Sequence, residues 1–100
     1  MIIDTACQAL REGKCLEVHY KGTTRIVEVH AAGVKKDQHQ AVFGWQLRNM
    51  SKINDEPDWR LMSVKDMSSV RLLDQISDAP RKGYKHNEAG LERFICQVRS

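Results

Sequence analysis

Apolar residues Ile3, Ala6, Cys7 and Leu10 recur at i, i+3, i+4 and i+7 near the start of the chain. That spacing lines one face of an amphipathic helix over residues 3 to 11. Gly13 is a natural stop, because a residue without Cβ readily takes the left-handed conformation that closes helices. Lys14 then suits the negative end of the helix dipole. The period next drops to two: Leu16, Val18 and Tyr20 alternate with Cys15, Glu17 and His19, as in a half-buried strand. Lys21-Gly22 interrupts this run, and the β-branched stretch Thr23 to Val29 returns as the second arm of a hairpin. A two-residue loop would place Arg25 and Val27 on the face of Val18 and Leu16. A three-residue loop would place them on the other face.

A second hairpin follows. Val34 to Lys36 reaches a polar turn at Asp37-Gln38, and Ala41 to Leu47 returns with Phe43 and Trp45 on one face. Arg48 to Asp58, carrying Asn49, Ser51, Asn54 and Pro57, has the composition of an exposed loop. Trp59 to Val64 alternates again, and a turn through Lys65 to Met67 leads to a last strand over Ser69 to Leu73. The pattern predicts a mainly β chain, one helix followed by five strands. Beyond Pro80 and Gly83, Leu91, Phe94, Ile95 and Val98 resume helical spacing, which predicts a C-terminal helix capped by Asn87. Gly90 inside that helix costs about 1 kcal/mol relative to Ala, so an extended edge strand stays open as the alternative.

One hundred residues leave room for one small domain, which excludes a two-domain enzyme. Apolar residues at 41% and charged residues at 29% match a globular chain rather than a disordered one, and no apolar run approaches a bilayer span. Asp4 stands where a secretory leader needs a basic start, so a cytoplasmic location is expected. Cys7, Cys15 and Cys96 form an odd set with no C-x-x-C pair. They read as buried thiols in a reducing compartment, not as a disulfide framework or a zinc site. The net charge of +3 is unevenly placed: residues 1 to 78 hold 11 Lys/Arg against 11 Asp/Glu, and residues 79 to 100 hold 5 against 2. The chain thus divides into a domain over 1–78 and a basic extension over 79–100. An excess this small aids binding to a polyanion without dictating it.

The common catalytic signatures are absent: no phosphate loop, nucleophile elbow or zinc helix is written here, and no cofactor is implied. Glu17-Val18-His19 and Glu28-Val29-His30 repeat a motif that could hold a metal or move protons. The plainer reading puts both pairs on the solvent face of two strands. Cys15 shares a face with His19, but a small core thiol is the plainer reading there too. Phe43, Trp45 and Trp59 could stack bases or simply pack together. Arg25, Arg60 and Arg71 sit inside strand patterns, where a guanidinium either grips an anion bidentately or turns outward to a cross-strand carboxylate. Arg81-Lys82-Gly83-Tyr84-Lys85-His86 combines charge with an aromatic, and reads as a solvated tail or a nucleic-acid-binding arm.

Several of these features occur together in an order that resembles the WYL-domain family. They are Ala9-Leu10-Arg11-Glu12-Gly13-Lys14, Leu16-x-Val18-x-Tyr20, Arg25-x-Val27, and Trp59 to Met67 followed by Val70. The likeness covers about residues 6 to 74. The triplet that names the family falls on Gln40-Ala41-Val42, and Asp66 stands where the family's later strand often has a second Arg. The resemblance implies a helix followed by a five-stranded Sm-like or SH3-like small β-barrel. It also implies a non-enzymatic sensor of anionic ligands, nucleotides or single-stranded nucleic acid, in bacterial transcription regulation or defence. Arg60, Arg25 and Tyr20 are the positions that carry over, with Trp59 and Trp45 as stacking candidates. A regulator protein or a second copy of the chain is the expected macromolecular partner. An adaptor or oligomerisation module with a degenerate pocket is the rival expectation.

Overall fold

The computed structural model describes residues 1–99. Helix α1 spans Ile2–Glu12 and buries Ile3, Ala6, Cys7 and Ala9, with Leu10 packed partly against the same core. Gly13 closes it in the left-handed conformation (φ 66°), donating its N–H toward the carbonyls of Ala9 and Leu10. Six strands follow: β1 (Lys14–Tyr20), β2 (Thr23–Val34), β3 (Gln40–Asn49), β4 (Asp58–Ser63), β5 (Met67–Ile76) and β6 (Arg93–Gln97). A single 3-10 turn, Val64–Asp66, joins β4 to β5.

All ladders are antiparallel, in the order β4-β3-β2-β1-β5, with β6 added on β2. The sheet is not closed: no ladder joins β4 to β5 among the described residues. The first hairpin has the two-residue loop, Lys21-Gly22, with both residues at positive φ as the tight primed turns require. Val18 therefore faces Arg25, and Leu16 faces Val27.

Strand β2 organises the sheet. One edge pairs with β3 along most of its length, while the other pairs first with β1 (Thr23 to Val27) and then with β6 (Ala31 to Val34). His30 has no partner in β3, since Val29 faces Gly44 and Ala31 faces Phe43. Such a bulge turns both His30 and Ala31 away from α1 and restores Ala32 to the helix side. Gly44 is required opposite the bulge, because a Cβ there would run into the Glu28 carbonyl and the Val27 side chain. One face of the sheet, carrying Leu16, Val18, Val27, Val29, Val42 and Met62, packs under α1. The other face is covered by residues 77–92, which cross it without regular structure.

Two expectations are corrected here. The C-terminal apolar stripe forms β6 and not a helix. Gly90 sits at φ 81° and Asn87 at φ 66°, so neither begins a helix. The edge of β2 left free beyond β1 supplies backbone partners instead: Glu92 N–H donates to Val34 O at 2.8 Å and Val98 N–H to His30 O at 2.7 Å. The cysteines are not all free thiols either. Cys7 of α1 and Cys96 of β6 form a disulfide with Cα atoms 5.9 Å apart, and Cys15 alone is free. No described helix is long and apolar enough to cross a membrane.

A disulfide that closes 89 residues of chain restricts the unfolded ensemble strongly. Reduction, or Cys96→Ser, is expected to lower stability by about 2–4 kcal/mol in denaturant titration. A variant as stable as the parent under oxidising conditions would show that the bond contributes nothing.

Candidate functional site

The five residues singled out from sequence fall on opposite faces of the sheet. Trp45 and Trp59 lie on the face covered by residues 77–92. Trp59 stacks on Phe43 with centroids 5.3 Å apart and planes within 7°, and meets Trp45 edge-on at 5.1 Å and His30 at 4.8 Å. Tyr84 adds a further ring 5.1 Å from His30. These aromatics are half-buried against one another, as the packing reading expects.

Beneath them, the second Glu-Val-His motif is buried, contrary to its expected place on a solvent face: Glu28 is 1% exposed and His30 fully enclosed. The Arg81 guanidinium donates to Glu28 through Nε at 2.5 Å and through a terminal nitrogen at 3.2 Å, and Asp78 N–H adds a bond at 2.7 Å. Arg81 N–H donates to His30 Nε2 at 2.9 Å, which leaves the ring proton on Nδ1, donated to the Glu28 carbonyl at 2.9 Å. Burial holds His30 below its ordinary pKa of 6.5 and pushes the nearby Cys15 thiol up to about 11. Cys15 is therefore a protonated core thiol at neutral pH, unfit as a nucleophile. Arg81 and Tyr84 thus anchor the basic segment 81–86 to the sheet; Tyr84 and Asn87 converge on Gln97 of β6 at 2.6 and 2.8 Å.

Arg25, Arg60 and Tyr20 lie on the α1 side of the sheet. Arg25 caps the Tyr20 ring with its guanidinium carbon 5.0 Å from the centroid, and Lys21 Nζ lies 5.3 Å from the same centroid. Arg25 donates to Thr23 Oγ1 at 3.0 Å and to Gln46 Oε1 at 3.2 Å. The latter bond orients the fully buried Gln46 so that its Nε2 donates to Asp55 at 3.0 Å. Arg60 donates to the other Asp55 oxygen at 3.2 Å and also pairs with Asp58. The Gln46 hydrogen bond, with smaller help from Asn49 and Arg60, holds the Asp55 carboxyl below the usual carboxylate range.

Arg71 of β5 turns outward to its cross-strand partner Glu17 at 3.0 Å. Among the described residues, Arg60, Arg71 and Arg81 each hold a carboxylate and Arg25 holds none. Sequence reasoning missed Gln46, Asn49 and Asp55. Gln46 interrupts an apolar strand pattern at a buried position, which was the available signal, whereas Asn49 fell in the stretch read as an exposed loop and belongs to β3 instead. No group of three His, Cys, Asp or Glu side chains converges as a metal site among the described residues.

Removing Arg81 strips the buried Glu28 side chain of its guanidinium and leaves the Asp78 N–H as its remaining donor, so Arg81→Ala is expected to cost about 3 kcal/mol in denaturant titration. A loss below about 1 kcal/mol would contradict this pairing. His30 has a depressed folded pKa, so the unfolded chain binds more protons below pH 6.5 and stability falls as pH drops through that value. A His30→Gln variant is expected to lose this part of the thermal-stability profile. An unchanged pH dependence would contradict the assignment.

Comparison with known protein families, with curated proteins and with solved structures finds no match for this chain.

Proposed function

We propose that the chain is a non-enzymatic domain that binds an anionic ligand, a nucleotide or single-stranded nucleic acid, on the α1 side of the sheet. Occupancy is passed to a regulator or complex, in bacterial transcription control or defence. One observation carries the reading: Arg25 is a half-buried guanidinium with no carboxylate partner among the described residues, beside Lys21 and over Tyr20. Two cations around one aromatic ring suit a phosphate next to a base or sugar. Arg60 lies on the same face, where Asp55 and Asp58 hold its guanidinium. The same reading takes the sheet as an Sm-like or SH3-like small barrel left open between its two terminal strands, with Trp45 and Trp59 as structural rings rather than ligand contacts.

A second reading rests on a groove of about 540 Å³ between α1 and β6, lined by Leu10, Arg11 and Ile95 to Arg99. Ile95 stays 48% exposed beside it, which suits an adaptor or self-association surface.

Labelled single-stranded oligonucleotide is expected to bind at low salt and to weaken steeply as salt rises, because phosphate contacts release counterions. Arg25→Ala is expected to weaken binding about tenfold, one charged hydrogen bond's worth. Parent-like binding by Arg25→Ala removes the site assignment. No binding at low salt, with a loss of self-association or partner capture in Ile95→Glu, favours the adaptor reading instead.

A further inference from the structure

Loop 50–57 is attached to the sheet in an uneven way. Its first residues are tied by backbone: Met50 N–H donates to Thr24 O at 2.7 Å, and Ser51 N–H to Asn49 Oδ1 at 3.0 Å. From residue 53 to residue 57, the hydrogen bonds that reach the sheet all end on the Asp55 carboxylate. Around it the loop is exposed, with Ile53 94% accessible.

The receiving side is built rather than incidental. Gln46 is fully buried and Asn49 is 5% exposed, and both aim amide nitrogens at one Asp55 oxygen, at 3.0 and 3.5 Å. Arg60 takes the other oxygen at 3.2 Å. Buried amides are costly without partners, so this set of donors demands an occupant whether or not the loop supplies it. Arg25 fixes the Gln46 amide by holding its oxygen, which leaves Nε2 directed outward.

We infer that Gln46, Asn49 and Arg60 form a cradle for two oxyanion oxygens, filled at rest by the chain's own Asp55 and taken by a ligand carboxylate or phosphate when the loop lifts. This rests on the anion-binding reading and adds the ligand group, its seat and its internal competitor. A site occupied by its own side chain binds a free ligand with an affinity reduced by the fraction of time the site is empty. Asp55 therefore sets a threshold on ligand concentration.

The test uses the full chain as wild type, Asp55→Ala and Asp55→Ala/Arg60→Ala, titrated with sodium acetate and with inorganic phosphate at constant ionic strength. Calorimetry reads affinity and thermal unfolding reads stabilisation. Asp55→Ala is expected to bind at least one of the two anions about tenfold tighter than wild type and to gain thermal stability from it. Adding Arg60→Ala removes both effects. A response to acetate alone assigns a carboxylate ligand, and a response to phosphate alone assigns a phosphate. If Asp55→Ala does not fold, Asp55→Asn keeps the loop's shape, removes the negative charge that faces Arg60, and is expected to show the same order of affinities with a smaller gain. Failure of every folded Asp55 variant to bind either anion more tightly than wild type overturns the cradle, as does binding that ignores Arg60. The broader reading fails separately: anion rescue in Asp55→Ala with no oligonucleotide or nucleotide binding by any variant would leave the cradle standing and remove the nucleotide-sensor function.

Discussion

A carboxylate buried at the centre of a sheet has to be paired, and in this chain that constraint falls on Glu28. Its partner comes from more than 50 residues away. Arg81 reaches it only if residues 77–92 lie across the sheet, and once they do, His30 accepts the Arg81 main-chain N–H and Tyr84 joins the ring cluster. Strand β6 then meets the free edge of β2, and Cys96 arrives beside Cys7. The buried charge thus explains why a polar C-terminal stretch forms one of the two layers on the sheet. Replacing the pair by apolar groups of similar size is a neutral change in many proteins, so the pair is better read as fixing which segment covers this face than as a source of net stability.

With α1 on one side and residues 77–92 on the other, most polar groups of the sheet are consumed internally. The allocation of guanidinium groups is informative. Arg81 is spent on Glu28, Arg71 on Glu17, and Arg60 on Asp55 and Asp58, which leaves Arg25 over Tyr20 as a half-buried strand arginine with no carboxylate, whereas Arg48 and Arg93 of β3 and β6 are exposed. On the proposed reading an incoming anion seats at the α1-side end of β2, β3 and β4, with Asp55 as its internal competitor. The bulge at His30 contributes indirectly: it puts two consecutive β2 residues on the tail-covered face and lets both layers stay packed.

Local chemistry was legible in the sequence where it decided the outcome. The i, i+3, i+4 stripe gave α1, Gly13 its end, and the alternation from Cys15 to Val29 a hairpin, while its register stayed open between a two- and a three-residue loop until the structure showed Lys21-Gly22 as the turn. Long-range pairing was not legible. The spacing of Leu91, Phe94, Ile95 and Val98 suits a helix equally well, and only the vacant β2 edge makes it a strand. The Cys7–Cys96 bond depends on that strand and leaves no trace in cysteine spacing. Arg25, Arg60 and Tyr20 were singled out through the family resemblance and Trp45 and Trp59 as stacking candidates, with nothing in the pattern to say that the sheet separates the two groups. The His30 bulge and the cover supplied by residues 77–92 are tertiary facts. Gln46 looked like an ordinary polar strand position and Asn49 like part of the exposed loop, because burial cannot be read from a single residue's type.

The central claim is that anion recognition belongs to the α1-side face and that the aromatic face is structural. Backbone amide chemical-shift mapping during titration with a mononucleotide tests it most directly. The account predicts perturbations confined to Tyr20 through Arg25, Gln46 through Asn49 and Asp55 through Arg60. Perturbations centred instead on His30, Phe43 and Tyr84, with the Arg25 region unmoved, would contradict it.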